Sequence, residues 1–242
     1  MKSCSITDIG IYRNMNQDAF YASEQAVGNL PNLFLVADGM GGHNAGEYAS
    51  MHTVDTMVRT VGRAISREPA SILEEAIRAA NLELIEKATQ EPSMWGMGTT
   101  VVAAVIAGSR LHAANVGDSR LYIVSDAIRQ ITKDHSYVEE MVRRGEIDRE
   151  AARNHPDKNI ITRAVGATQE IEADFFEVKL YPDDLVLLCS DGLTNMVEDD
   201  AIWKIIREQS DVAVAAKRLI EAANQNGGRD NITVIVIDPF CV

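Results

Sequence analysis

Cysteines, membrane-spanning segments and targeting signals are scarce or missing in this 242-residue chain. Its three cysteines, Cys4, Cys189 and Cys241, are an odd number with no CxxC pair, and reduced thiols are the simplest interpretation. No run reaches the roughly 18 apolar residues of a spanning helix. The N-terminus lacks the apolar core of a signal peptide. The sequence therefore predicts a cytoplasmic protein without membrane insertion.

Basic residues are also in short supply. Lysine and arginine number 23 against 36 aspartates and glutamates, for a formal charge of −13. This balance argues against nucleic acid and anionic membranes as partners, since both attract basic surfaces. If the substrate is itself anionic, a local positive charge must overcome the field, and bound divalent cations would supply it.

Several sequence signatures of hydrolases and nucleotide enzymes are absent. A cysteine phosphatase needs a CxxxxxR loop, but the sixth residue after Cys4 is Gly10 and after Cys189 is Asn195, and Cys241 precedes only Val242. No GxxxxGK[ST] loop occurs, which argues against a P-loop nucleotide enzyme. The scattered histidines form no HExxH motif, which weakens a zinc-protease interpretation.

Hydrophobic residues, by contrast, make up 46% of the chain and predict a large core in one generous domain or two small ones. Period-2 and apolar runs predict strands at residues 3–8, 18–23, 33–37, 99–106, 111–116, 119–124, 128–132, 172–180, 185–189 and 232–237. Helical spacing predicts helices at 51–61, 72–88, 137–144, 148–153, 199–208 and 212–223. These elements favour stacked antiparallel sheets covered by helices.

Aspartates recur at the ends of these strands. LFLVADG and LVLLCSDG are apolar strands that end in Asp38–Gly39 and Asp191–Gly192, and a third strand ends at Asp118. Asp18 and Asp230 stand at the start of theirs. Since the start of one antiparallel strand neighbours the end of the next, all five carboxylates can meet at one edge. An isolated Asp-Gly is usually a turn, but this combination predicts a metal site.

Oxygen ligands of this kind favour hard cations such as Mg²⁺ or Mn²⁺, which also relieve the mutual repulsion. Two such ions, roughly 3.5–4 Å apart, can share a water and aim it at phosphorus. Arg13 is the candidate for gripping phosphate oxygens, and a solvated surface arginine is the alternative. His43 can protonate a leaving alkoxide, or it is a histidine at a helix N-terminus without catalytic duty.

Six short motifs then occur in order: Arg13-x-x-Asn16-Gln17-Asp18, DGMGGH at 38–43, GMGTT at 96–100, GDSR at 117–120, SDGLTN at 190–195 and GGRDNITVIV at 227–236. Each is weak alone, but together they resemble the PPM/PP2C metal-dependent protein Ser/Thr phosphatases in their compact bacterial form. The resemblance runs from about Thr7 to Asp238, nearly the whole chain.

The resemblance implies an α+β fold, a four-layer αββα sandwich of two antiparallel sheets flanked by helices. It implies one catalytic domain over residues 1–242, with a flap at about 134–167. Two Mn²⁺ or Mg²⁺ ions are expected, with Asp38 as the bridge and the carbonyl of Gly39 on the first ion. Asp191 and Asp230 are expected on the second ion, and Asp118 on a third, weaker one.

Among the remaining site residues, the resemblance implies that Arg13 grips the phosphate and that Asn231 orients a water or the phosphate. Gln17 stands where many members have glutamate, and a neutral amide is a poorer ligand, so Asp18 is expected to act through water. Eukaryotic members carry a histidine directly after the Asp-Gly, where this chain has Met40. The nearest substitute for that proton donor is His43.

The implied function is hydrolysis of phosphoserine and phosphothreonine by direct attack of a metal-bridging hydroxide. The expected biological role opposes a bacterial Ser/Thr kinase, with that kinase and its substrates as partners of a monomeric enzyme. The alternative is a catalytically silent binding module of the same fold. Such modules usually lose ligand aspartates, whereas this chain keeps Asp38, Asp118, Asp191 and Asp230.

Overall fold

The computed structural model describes residues 1–42 and 44–241. The strands in this part of the chain are β1 (Lys2–Asp8), β2 (Asp18–Ser23), β3 (Leu33–Met40), β4 (Gly98–Thr99), β5 (Val101–Ala107), β6 (Arg110–Val116), β7 (Arg120–Val124), β8 (Ile128–Gln130), β9 (Asp174–Lys179), β10 (Leu185–Cys189) and β11 (Ile232–Asp238). The α-helices are α1 (Ala45–Arg63), α2 (Pro69–Gln90), α3 (Tyr137–Arg143), α4 (Arg149–Arg153), α5 (Asp191–Thr194), α6 (Asp199–Arg207) and α7 (Val212–Gln225). A 3-10 helix covers Pro92–Met94.

The strands form two antiparallel sheets. One has the order β1-β11-β10-β7-β8, and the other has the order β2-β3-β5-β6-β9, with β4 added to the end of β3. Side chains on a strand alternate between its two faces. In β3, Leu33, Leu35 and Ala37 therefore pack with the helices, while Phe34 and Val36 pack against the other sheet. All five side chains are fully buried, so β3 has an apolar surface on both faces.

Helices cover the two outer faces. The pair α1 and α2 packs on the sheet that contains β3, and α6 and α7 pack on the sheet that contains β11. The start of α2 is fixed by Pro69 at its first turn and by Glu68, whose side chain accepts a hydrogen bond from the Ser71 backbone at 2.7 Å. Asp211 caps α7 through the Ala213 amide at 2.7 Å.

The predicted α+β sandwich of two antiparallel sheets flanked by helices is confirmed. Strands 18–23 and 185–189 have the predicted bounds. The prediction of one strand over 99–106 is wrong, because Thr100 interrupts it and separates β4 from β5. The short helix α5 was not predicted, since four residues carry no helical periodicity. Among the described residues, no helix is long and apolar enough to cross a bilayer.

Candidate active site

The strand ends bring the five predicted carboxylates to one end of the sandwich. Asp18 begins β2 directly opposite Asp38 in β3. Asp191 begins α5 immediately after β10, and Asp230 lies two residues before β11. Asp118 lies in the turn between β6 and β7. Residues from both sheets thus contribute to the same end, as antiparallel pairing predicts.

Asp38 lies at the electrostatic centre of this group. Burial raises the pKa of its carboxyl well above the usual range, and the charges of Asp18, Asp191, Asp118 and Asp230 raise the pKa further. Each of these four carboxylates is therefore near enough to Asp38 to disfavour a second negative charge. A cation placed among them would reverse this effect.

Two carboxylate oxygens in the group are buried without a hydrogen-bond partner, Asp18 Oδ1 and Asp191 Oδ1. The other oxygen of Asp18 accepts bonds from the hydroxyls of Ser190 and Thr233, both at 2.7 Å. The other oxygen of Asp191 accepts from Asn195 at 2.8 Å. Buried polar atoms are normally paired, so the two unpaired oxygens are suited to binding a cation.

Burial also raises the pKa of Asp18 to about 7 and that of Asp191 to about 6, in each case with added repulsion from Asp230. Within residues 1–42 and 44–241, no three acidic, histidine or cysteine side chains already stand as a closed set of metal ligands. The carboxylates converge, and their oxygen-only chemistry suits Mg²⁺ or Mn²⁺. Their individual roles as ligands stay predictions.

The backbone around Asp38 is fixed by the two threonines of the GMGTT motif, for which the sequence predicts no role. The Asp38 carbonyl accepts from the Thr99 hydroxyl and from the Thr100 amide, each at 2.9 Å. The Thr100 hydroxyl accepts from the Asp38 amide at 3.0 Å and bonds with the Ser119 hydroxyl at 2.7 Å. No local pattern signals the contacts with Asp38, because they join residues about 60 positions apart.

Gly39 has a steric reason to be glycine. A Cβ at this position would lie 2.0 Å from the Gly46 carbonyl oxygen in α1 and 2.7 Å from the Gln17 carbonyl oxygen. Its amide donates to that Gln17 carbonyl at 3.0 Å. Glycine therefore allows α1 and the loop before β2 to approach Asp38 closely. Ligation by the Gly39 carbonyl stays a prediction.

Arg13 lies beside the carboxylates. Its predicted role in binding phosphate requires this position. Its guanidinium donates to Asp230 Oδ2 at 2.8 Å, and 47% of its side chain is exposed. A half-exposed guanidinium still has free donors for a phosphate. The alternative, a solvated surface arginine, requires no carboxylate neighbour.

Asn231 has partners other than the expected water or phosphate. Its Nδ2 donates to the carbonyls of Ile9 and Met15, both at 2.9 Å, and its Oδ1 accepts from the Gln17 amide at 2.8 Å. The side chain is buried and holds the loop that carries Arg13. A contact with phosphate would require it to release one of these bonds, so its predicted substrate role stays a prediction.

The predicted proton donor, His43, lies outside the described residues. Met40, in the position that a histidine takes in eukaryotic members, ends β3 and pairs with Gly98 of β4. A thioether has no ionisable proton, so Met40 cannot serve as a general acid.

A groove of about 870 Å³ opens from the carboxylates. One side is formed by Asp118 and Asp191, and the segment 134–167 contributes Arg149, Arg153 and Lys158 to its lining. The two ends of this segment lie close together, because Ser136 forms a β-bridge with Ile161. The same segment also contributes acidic residues to the lining, among them Glu139, which is ion-paired to Arg149 at 2.9 Å. Side chains of both charges therefore reach the groove from the predicted flap.

Residues 12–226 match the family described as protein phosphatase 2C. The chain belongs to this family. It is 42% identical over 237 residues to the "Serine/threonine phosphatase stp" of Listeria monocytogenes, covering 96% of this chain and 93% of the relative.

Two solved structures agree with this assignment. The phosphatase Stp1 of Staphylococcus aureus superimposes with a TM-score of 0.91 at 35% identity, covering 97% of this chain and 93% of that one. The catalytic domain of the phosphatase PstP, in complex with two manganese ions, has a TM-score of 0.86 at 36% identity, with coverage of 97% and 96%.

The predicted family and the predicted activity are confirmed: this protein phosphatase 2C is a hydrolase of the protein serine/threonine phosphatase type. The matched relatives are named as enzymes, which favours catalysis over the silent binding module.

Proposed function

We propose that this phosphatase hydrolyses phosphoserine and phosphothreonine in proteins with two Mn²⁺ or Mg²⁺ ions held by Asp38, Gly39, Asp191 and Asp230. The observation that carries the proposal is the convergence of five carboxylates on Asp38, with two buried oxygens left unpaired. A solved relative that contains two manganese ions supports the choice of metal. When bound, such ions neutralise the carboxylates and activate a water for attack on phosphorus.

The chain's own contribution to phosphate binding is assigned to Arg13. Its guanidinium is held by an ion pair to Asp230. With Asp230 engaged in ligation, Arg13 can turn its donors to two oxygens of the phosphate, which a guanidinium matches in a bidentate pair. The Asn231 clamp keeps the Arg13 loop in place while this exchange occurs.

His43 is proposed to donate the proton to the leaving serine or threonine oxygen. An alkyl alkoxide is a poor leaving group, and a positioned acid typically accelerates its departure by about 10²–10⁴-fold. The assignment rests on the sequence alone: His43 comes five residues after Asp38, and Met40 has no proton to donate.

Asp18 and Asp118 are assigned supporting roles. Asp18 is buried opposite Asp38 and receives hydroxyl bonds from Ser190 and Thr233, so we propose that it orients a water beside the ions. Asp118 is half-buried at the mouth of the groove and is repelled by Asp191. This position supports a third, weaker ion at Asp118.

The proposed substrates are phosphorylated proteins in the cytoplasm, among them a bacterial Ser/Thr kinase and its targets. The matched relatives in Listeria and Staphylococcus are bacterial Ser/Thr phosphatases, which supports this assignment. The groove lined by segment 134–167 gives room for polypeptide around the phosphorylated residue.

The test begins with protein stripped of metal by a chelator. Addition of Mn²⁺ is expected to restore phosphate release from a phosphothreonine peptide and to release heat on titration. Calcium, which prefers six to eight ligands in a looser geometry, serves as the comparison ion. Phosphate release that is the same with and without chelator would overturn the metal assignment.

A further inference from the structure

Two large apolar side chains directly precede Arg13 and are mostly exposed. Ile11 is 62% exposed and Tyr12 is 73% exposed. We call this pair the Ile11–Tyr12 surface. Neither side chain adds appreciably to the hydrophobic core, because each leaves most of its area in water. Both side chains are therefore available to contact a partner.

The backbone beneath the Ile11–Tyr12 surface is held on both sides. The amides of Ile11 and Tyr12 donate to the Gly228 carbonyl at 2.7 and 3.3 Å. Asn231 binds the carbonyls at the two ends of the loop, as described above. Gly10 adds a turn with φ of +79°. The two side chains therefore project from a fixed platform, which lowers the entropy lost when a partner covers them.

The platform adjoins the phosphate-binding end. A Cβ at Gly10 would lie 2.2 Å from the Asp230 carbonyl oxygen, so the loop packs directly on the backbone of Asp230. Arg13 follows Tyr12 and pairs with the Asp230 side chain. Consecutive residues of a substrate lie 3.8 Å apart, so a phosphorylated residue that reaches Arg13 brings its neighbours to this rim.

We propose that the Ile11–Tyr12 surface binds the polypeptide flanking the phosphorylated residue and favours substrates with apolar side chains there. This inference rests on the proposed function, because it takes Arg13 as the phosphate-binding residue. Continuity with that site identifies the occupant as substrate. The chain's net charge of −13 adds that acidic flanking residues are disfavoured, so apolar contact is the means of selection that the rim offers.

The experiment is a cycle that changes the enzyme and the substrate separately. Wild type and Tyr12→Ala are assayed with Mn²⁺ on two phosphothreonine peptides, one with leucines flanking the phosphothreonine and one with glycines. Tyr12→Ala is expected to raise KM for the leucine peptide roughly tenfold, the effect of about 1.4 kcal/mol. Its kcat, and both constants for the glycine peptide and for p-nitrophenyl phosphate, are expected to stay near the wild-type values.

Two variants provide controls. Tyr12→Phe keeps the ring and is expected to behave as wild type, which separates ring contact from any bond made by the hydroxyl. Tyr181→Ala removes a tyrosine that is 59% exposed before β10, at the opposite end of the sandwich, and is expected to change nothing.

Equal losses by Tyr12→Ala on both peptides and on p-nitrophenyl phosphate would overturn the inference, because they would mean damage to the site itself. An unchanged KM for the leucine peptide would overturn it as well. Failure of the proposed function has a different signature, since wild type itself would then show no metal-dependent release from any of the three substrates.

Discussion

The two ends of β10 carry aspartates with opposite surroundings. Asp184 precedes the strand, is only 6% exposed, and accepts a bond from the Tyr181 amide at 2.9 Å within a turn. Asp191 follows the strand, has one buried oxygen without a partner, and is repelled by Asp230. The first carboxylate is satisfied by the chain's own backbone. The second leaves an unpaired oxygen that can bind a cation, so position on the strand alone does not distinguish a turn residue from a metal ligand.

The largest expected effect is on the activity of a variant of Asp191. Asp191→Asn replaces an anionic ligand by a neutral one, and we expect activity to fall by more than about a hundredfold, since changes that merely disturb a metal ligand often cost 10–100-fold. Asp184→Asn keeps an acceptor for the Tyr181 amide and is expected to retain activity within about twofold. Steady-state kinetics with Mn²⁺ measure both, and near-normal turnover of Asp191→Asn would contradict its role.

The second-largest expected effect tests His43 as the proton donor. We expect His43→Ala to slow release from a phosphoserine peptide by about 10²-fold or more, while p-nitrophenyl phosphate is little affected because its leaving group needs no proton. His112→Ala, in β6 and away from the carboxylates, is the matched histidine control. Equal losses on both substrates would remove His43 from the role of acid.

A third prediction concerns pH. The pKa of Asp18 is raised to about 7 and that of Asp191 to about 6, so the folded metal-free protein holds protons that the unfolded chain loses near pH 4. The contribution of these two carboxyls to stability is therefore fully present below about pH 4 and is lost as pH rises through 6 to 7. We expect the melting temperature of metal-free protein to be at least about 5 °C lower at pH 8 than at pH 5.

Saturating Mn²⁺ is expected to reverse this trend, because ligation requires deprotonated carboxylates and tightens as pH rises. Scanning calorimetry at the two pH values, with and without the ion, makes the measurement. Asp18→Asn should flatten the slope of the metal-free protein, while Asp184→Asn should leave it unchanged. A metal-free protein that melts higher at pH 8 would show that the carboxylates are not under mutual repulsion.

Much of this contrast between the ends was readable from the sequence. Two apolar strands ending in Asp-Gly, together with antiparallel pairing, placed Asp38 and Asp191 at one end, and the pairing of Asp18 with Asp38 follows the same rule. The hydrogen bonds that hold those carboxylates were not readable. The Thr100 contacts with Asp38 and the Asn231 clamp join segments far apart in the chain, so neither periodicity nor turn signals report them.

The same limit applies to a pair of buried asparagines, one at each end of the sandwich. Asn32, before β3, exchanges two bonds of 2.7 Å with the Ile106 backbone at the far end. Asn81, in α2, accepts from the Gly166 amide at 2.7 Å and donates to the Thr168 carbonyl at 2.9 Å. The neighbouring Val165 pairs with Thr99, whose hydroxyl holds the Asp38 carbonyl.

The smallest expected effect is a difference in Mn²⁺ affinity between variants of these two asparagines. Asn32→Ala and Asn81→Ala each leave buried backbone groups unpaired and are expected to lower the free energy of unfolding by about 2–4 kcal/mol. Only Asn81→Ala also loosens the contacts behind Asp38, so we expect it alone to weaken Mn²⁺ binding, by roughly a few-fold, since its path to Asp38 runs through three intermediate residues. Calorimetric titration of folded protein measures this. Equal Mn²⁺ affinities in the two variants would mean that Asp38 is held by its threonines without help from α2, and that the carboxylate end differs from the far end in charge alone.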